Sequence, residues 1–150
     1  MGMDLNGKKP KNKTGEYFRN NCWWWRPLWD YCCIVSEEAR SVKYGYSNDG
    51  DGLNSVRSRK LAATLLGQIE NGAVKRYEKE RQARLNALPD EECKFCHGTG
   101  KRTDMVVVNG CNACLGTGKV RPFEDMYGFS EENVKDFARF LQNCGGFEIW

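Results

Sequence analysis

Apolar residues recur at helical spacing in four stretches of the chain. Leu28, Tyr31, Cys32 and Val35 fall at 0, +3, +4 and +7, one face of a helix. Pro27 has its φ preset for a first turn and lacks the amide hydrogen that a first turn cannot use. The spacing therefore predicts a helix from near Arg26 to about Ser36, with Trp25 and Trp29 one turn apart across its start. Trp23 to Trp25 are read as extended chain before it. Leu61, Ala62, Leu65, Leu66 and Ile69 mark a second helix, capped by Asn54 or Ser55 and ended or bent at Asn71-Gly72. A third runs from about Ala73 to Leu88, with Val74, Tyr77, Arg81, Leu85 and Leu88 near one seam and Pro89 as its stop. The fourth has Ser130 as cap and Glu131 and Glu132 at the positive end of the helix dipole. Val134, Phe137, Ala138 and Leu141 form its apolar face, and Gly145-Gly146 ends it. Phe147 to Trp150 then alternates like a short strand, and an apolar terminal Trp suggests a tethered end, against the tryptophan cluster in the simplest case.

Polar segments fill the gaps. Residues 1–15 carry Lys8, Lys9, Lys11 and Lys13 among Gly7, Pro10 and Gly15, and read as a basic flexible tail, either simply solvated or an electrostatic arm for an acidic partner. Ser47-Asn48-Asp49-Gly50-Asp51-Gly52 reads as a loop; no register supplies the closing Glu of a calcium-binding loop. The net charge of +3 is too small to argue for nucleic acid by itself. Its distribution is uneven, with a basic middle from Arg57 to Arg84 and an acidic end after Phe123. No apolar run approaches the length of a membrane span, no secretory leader is expected, and a reducing cytoplasm is the default.

Chemistry enters with the cysteines. The string Cys-x-x-Cys-x-Gly-Thr-Gly-Lys occurs twice, at Cys93 to Lys101 and at Cys111 to Lys119. Two such pairs supply four thiolates for one tetrahedral Zn2+, with Cys93, Cys96, Cys111 and Cys114 as ligands. Gly98 and Gly116 permit positive φ where each turn leaves the site, and Gly100 and Gly118 keep the backbone thin where strands cross. Met105 to Val108 is β-prone and Asn109-Gly110 turns the chain back, which makes a hairpin excursion between the pairs. His97, the sole histidine, is expected beside the site and not as a ligand. Cys22, Cys32, Cys33 and Cys144 lack paired spacing and are expected to be buried thiols, or a second site only if the fold gathers them.

The fold class that follows is α+β: a mostly helical domain of about four helices with a small β-hairpin zinc module held by four cysteines. The organisation expected is the tail at 1–15, a helical region with the tryptophan cluster at 16–90, the zinc module at 91–122, and a C-terminal helix and strand at 123–150 packing back on the helical region.

The Cys-x-x-Cys-x-Gly-x-Gly repeat closely resembles that of the cysteine-rich zinc domain of DnaJ-type cochaperones, over residues 93–119 alone. That domain usually carries four repeats and two zinc ions; two repeats here imply one zinc. The His-Pro-Asp tripeptide of the J-domain is absent from the sequence, so the resemblance implies zinc ligation and a protein-contacting hairpin module but not cochaperone activity. The segment Tyr17 to Trp29 resembles small uncharacterised proteins of phages and mobile elements.

A closed four-sulfur site leaves no open position for catalysis, and no nucleophile elbow, P-loop or zinc-protease helix occurs. The expectation is a non-catalytic binding protein acting on a protein partner as adaptor, regulator or inhibitor. The five tryptophans are either core, or in part a partner surface made by Trp23, Trp24, Trp25 and Trp29 with Arg19 and Arg26. Nucleic-acid or nucleotide binding is the alternative, through the lysine segment, exposed aromatics and the outer face of the third helix at Lys75, Arg76 and Lys79. Thiol–disulfide chemistry at the Cys-x-x-Cys pairs is a third reading.

Overall fold

The computed structural model describes residues 2–102 and 110–150. In chain order they form β1 (Gly2–Gly7), α1 (Lys13–Glu16), β2 (Tyr17–Asn21), α2 (Cys22–Val35), α3 (Glu37–Arg40), β3 (Gly52–Asn54), α4 (Ser55–Glu70), α5 (Ala73–Asn86), β4 (Glu91–Glu92), β5 (Lys119–Val120), α6 (Glu131–Asn143) and β6 (Gly146–Ile149). A short 3₁₀ turn, Phe123–Met126, precedes α6. The fold is α+β, with four long helices and two single turns among the described residues. The chain divides into two units: Met1–Arg81 with Tyr127–Trp150, and Gln82–Met126.

The first unit is built on an antiparallel sheet of order β2-β1-β6-β3. Its register pairs Leu5 with both Phe18 and Ile149, and Phe147 with Leu53. Because paired residues share a face, Met3, Leu5, Phe18, Leu53, Phe147 and Ile149 form one apolar layer. The opposite face is polar: Tyr17 donates its hydroxyl hydrogen to Asp4, Arg19 lies 3.5 Å from the same carboxylate, and Lys8 lies 3.2 Å from Glu148. Trp25, Leu28 and Trp29 of α2, Leu61 and Leu65 of α4, and Val134, Phe137 and Leu141 of α6 belong with the apolar layer to one core. Phe137 sits at its centre, with ring centroids 5.1 Å from Phe18, 5.5 Å from Trp25 and 6.3 Å from both Trp29 and Phe147.

Several expectations are corrected here, the domain organisation first. Residues 2–7 are not a tail; they are an interior strand of the sheet. The lysine segment that follows is laid along the end of α6, where Lys9 and Lys11 donate backbone N–H groups to the carbonyls of Cys144 (3.1 Å) and Asn143 (2.9 Å). A helix end leaves such carbonyls without partners, and satisfying them orders the segment despite its polar composition. The region 16–90 is likewise not all helical, since it holds β2 and β3.

The second correction concerns α2, which begins at Cys22, so that Trp23 to Trp25 are helical. The Asn21 side chain accepts from the Trp24 N–H at 3.1 Å and caps the helix. Pro27 therefore lies inside the helix, where it cannot donate to the Trp23 carbonyl four residues back. The Gly128 N–H takes that carbonyl instead, at 3.1 Å. This repair arrives from a segment far away in sequence.

The third concerns the C-terminal residue. Trp150 is tethered through its backbone, which exchanges hydrogen bonds with Asp4 at 2.7 and 3.3 Å. Its ring lies against Gly50 and not against the other tryptophans.

Candidate metal centre

The second unit brings the two Cys-x-x-Cys turns face to face. β4 and β5 pair antiparallel, Glu91 with Val120 and Glu92 with Lys119, and close the module at its base. All four sulfurs, from Cys93, Cys96, Cys111 and Cys114, lie within 4.8 Å of one another and all four residues are buried. Cys93 Sγ lies 3.8 Å from Cys111 Sγ, and Cys96 Sγ 3.7 Å from Cys114 Sγ. A tetrahedron with metal–sulfur bonds of about 2.3 Å has edges of about 3.8 Å. The donor set thus fits a tetrahedral, thiophilic metal ion.

The two turns are copies of each other in detail. Gly100 and Gly118 donate N–H groups to Cys96 Sγ (3.3 Å) and Cys114 Sγ (3.2 Å). Thr99 donates its hydroxyl hydrogen to the Cys96 carbonyl at 2.6 Å, and Thr117 does the same to the Cys114 carbonyl at 2.7 Å. Lys101 and Lys119 return backbone N–H groups to those hydroxyl oxygens at 3.3 and 3.2 Å. The repeated Gly-Thr-Gly-Lys is therefore the wiring of the turn.

The glycines divide the work. Gly116 needs its positive φ of 84° but has open space around it, the nearest atom to a built Cβ being the Gly100 oxygen at 4.0 Å. Gly118 needs both positive φ and the missing side chain, because a Cβ there would stand 2.2 Å from the Gly98 carbonyl oxygen. Gly100 stands in the same relation to the Gly116 oxygen, at 2.3 Å. The residue after each second Cys, His97 (φ 50°) or Leu115 (φ 52°), also takes the left-handed conformation. The turn imposes this on both copies whatever the side chain.

Hydrogen bonding tunes the thiols. Burial acts to raise Cys114, but the Gly118 N–H and the neighbouring Cys111 and Cys96 outweigh it and hold the thiol down at about 6. Cys96 is pushed up to about 11, chiefly by burial. In the second unit Arg121 ties the base of the module together, donating to the carbonyls of Leu85 (2.7 Å) and Leu88 (2.8 Å) and pairing with Asp90 (3.0 Å) and Asp125 (3.3 Å).

His97 is exposed and outside the sulfur cluster. Among the described residues, Cys22, Cys32, Cys33 and Cys144 join no metal-sized group. Cys32 and Cys144 are buried, which raises both thiols. The hairpin excursion expected at Met105 to Val108, with its turn at Asn109, falls outside the described residues.

The fold removes two of the four tryptophans from the candidate surface. Trp25 and Trp29 are core residues, stacked at 5.1 Å, and Trp25 Nε1–H donates to the Gly45 carbonyl at 2.7 Å. Trp23 is half-buried with its ring 5.0 Å from Tyr127. Trp24 is partly exposed and covers Gly128. Arg19 and Arg26 are exposed, but Trp25 and Trp29 lie beneath the surface they were to share. Lys75, Arg76 and Lys79 are exposed on α5.

A surface not anticipated from sequence lies on the metal module. Phe95, Phe123, Met126, Ala113 and Val120 line a groove of about 300 Å³, rimmed by Glu91, Glu92 and Lys94. Phe95 and Ala113 occupy equivalent positions in the two Cys-x-x-Cys turns, so the repeat itself could have placed them together. No protein-family model, curated protein or solved structure matches the chain. No described helix is long and apolar enough to cross a membrane.

Proposed function

We propose that this is a non-catalytic binding protein in which one structural Zn2+ holds a four-cysteine module that contacts another protein. Zinc is favoured by the four-thiolate donor set and by sulfur spacings that match a closed tetrahedral shell. Such a shell has no vacant position for substrate or water, so the ion acts as scaffolding. It supplies folding free energy of roughly 10–16 kcal/mol in small zinc peptides, more than a unit as short as Gln82–Met126 can draw from a core of its own size.

The observation that carries the binding role is the apolar surface the module keeps in solvent. Phe95 is 65% exposed, Leu115 88%, Phe123 60% and Met126 58%. Phe95, Phe123 and Met126 line the groove on the module together, and a clustered apolar surface of this kind marks an interaction site. Aromatic and methionine side chains are the ones enriched at the centres of protein interfaces. The test is affinity isolation from the native host with the wild-type chain and with Phe95→Ser/Leu115→Ser, both checked for one zinc per chain. A partner retained by the first and lost by the second, and then bound by purified wild type in calorimetry, supports the reading. A set of co-isolated proteins unchanged by the substitutions contradicts it.

A further inference from the structure

The first unit carries a second surface with a different chemistry. Arg59, Ala62, Ala63 and Leu66 of α4 fall at i, i+3, i+4 and i+7, one stripe of that helix. With Gln142 and Asn143 at the end of α6, and Lys11 from the segment after β1, they line an open groove of about 500 Å³. Ala62, Ala63 and Leu66 give the groove an aliphatic lining, and Lys11 and Arg59 bring two positive charges to it. Among the described residues no carboxylate lines it.

The groove is fixed by structure. Lys11 is held through its backbone on the Asn143 carbonyl at 2.9 Å. Asn12 Nδ2–H donates to Asn143 Oδ1 at 3.0 Å, and Asn143 Nδ2–H to the Arg139 carbonyl at 2.8 Å. The residues most easily read as a floppy lysine tail are thus presented in one arrangement. Lys9 and Lys13 flank Lys11 on the same exposed segment. Several other cations of this unit are neutralised: Arg19 by Asp4, Lys8 by Glu148, Lys135 by Glu131 and Arg139 by Asp136. Lys11 and Arg59 make no ion pair among the described residues.

We propose that this groove between α4 and the end of α6 binds the sugar–phosphate backbone of a nucleic-acid strand. Charge complementarity selects a polyanion. A nucleic-acid strand offers a charge at every residue, which lets Arg59, Lys11 and then Lys9 or Lys13 meet phosphates in succession while sugars lie on the aliphatic lining. With Trp25 and Trp29 in the core and no aromatic residue lining the groove, base stacking contributes nothing there, so recognition is of the backbone and tolerant of sequence.

The test is fluorescence anisotropy of the full-length, metal-loaded protein with a labelled single-stranded oligothymidylate, between about 50 and 200 mM salt. The pair Lys11→Gln/Arg59→Gln is compared with Lys75→Gln/Lys79→Gln, which removes the same charge from α5. Both changes are at exposed side chains, and circular dichroism confirms the fold. Losing two phosphate contacts should lower the slope of log K against log salt by about 1.4 for a single strand, with weaker binding at the lowest salt; the α5 pair should leave the slope unchanged. Absence of binding at the lowest salt, an equal effect from both pairs, or equal competition by polyglutamate of matched charge would each overturn the proposal.

Discussion

Substituting alanine for each glycine of the second turn separates two roles that a sequence motif cannot. Gly116→Ala places a Cβ in open space but at a φ of 84°. The cost is that of a left-handed alanine, about 1–2 kcal/mol. Gly118→Ala incurs the same cost at a φ of 77° and also sets a Cβ 2.2 Å from the Gly98 carbonyl oxygen. An ordinary carbon–oxygen contact needs about 3.3 Å, so one of the two turns must shift by about 1 Å. Forced repacking of that kind costs about 1–3 kcal/mol. The shift also pulls the Gly118 N–H off Cys114 Sγ, where it sits at 3.2 Å, and a hydrogen bond to a charged group contributes about 1.5–3 kcal/mol. The total is at least about 3.5 kcal/mol. Because metal binding and folding of the module are linked, these costs appear as lost zinc affinity. Chelator competition should show Gly116→Ala weaker by roughly 5- to 30-fold and Gly118→Ala by about 300-fold or more, at about 1.4 kcal/mol per factor of ten. Equal losses in the two variants would refute the division of roles.

Further outcomes follow from the same geometry. Cys96→Ser and Cys114→Ser should each lose bound metal and unfold the module, whereas His97→Ala should keep one ion per chain by elemental analysis. Phe137→Ala removes the ring at the centre of the first core and should destabilise that unit by about 3–5 kcal/mol in denaturant titration. Asn21→Ala removes the cap of α2 and should cost about 1 kcal/mol, seen as a lowered Tm; no change would indicate that Gly128 and the core hold the helix start without it.

The four-cysteine cluster and the long helices could be read from the chain because their causes are local. A Cys-x-x-Cys turn, a Ser130 or Asn54 cap and a 3–4 apolar spacing each act within a few residues. What escaped reading depends on partners distant in sequence. Met3 and Leu5 are two apolar residues in a polar stretch, and they become a central strand only because β2 and β6 pair with it on either side. Pro27 reads as a helix start until Gly128 supplies the missing donor for Trp23. Trp25 and Trp29 read from sequence as either core or partner surface, and Gly45, where a Cβ would stand 2.0 Å from Trp29 Nε1, opens the room that seats the Trp29 indole in the core. The groove on the metal module is only half signalled: the repeat sets Phe95 and Ala113 at equivalent positions, but Phe123 and Met126, which complete the groove, lie beyond the repeat.

On the proposed reading a single metal ion enclosed by four sulfurs holds the second unit together. X-ray absorption at the zinc edge, with metal content measured on the reduced, freshly isolated protein, addresses it directly. One zinc per chain with four sulfur scatterers at about 2.3 Å is the expected result. A substoichiometric metal content, or a nitrogen or oxygen atom in the first coordination shell, would contradict it.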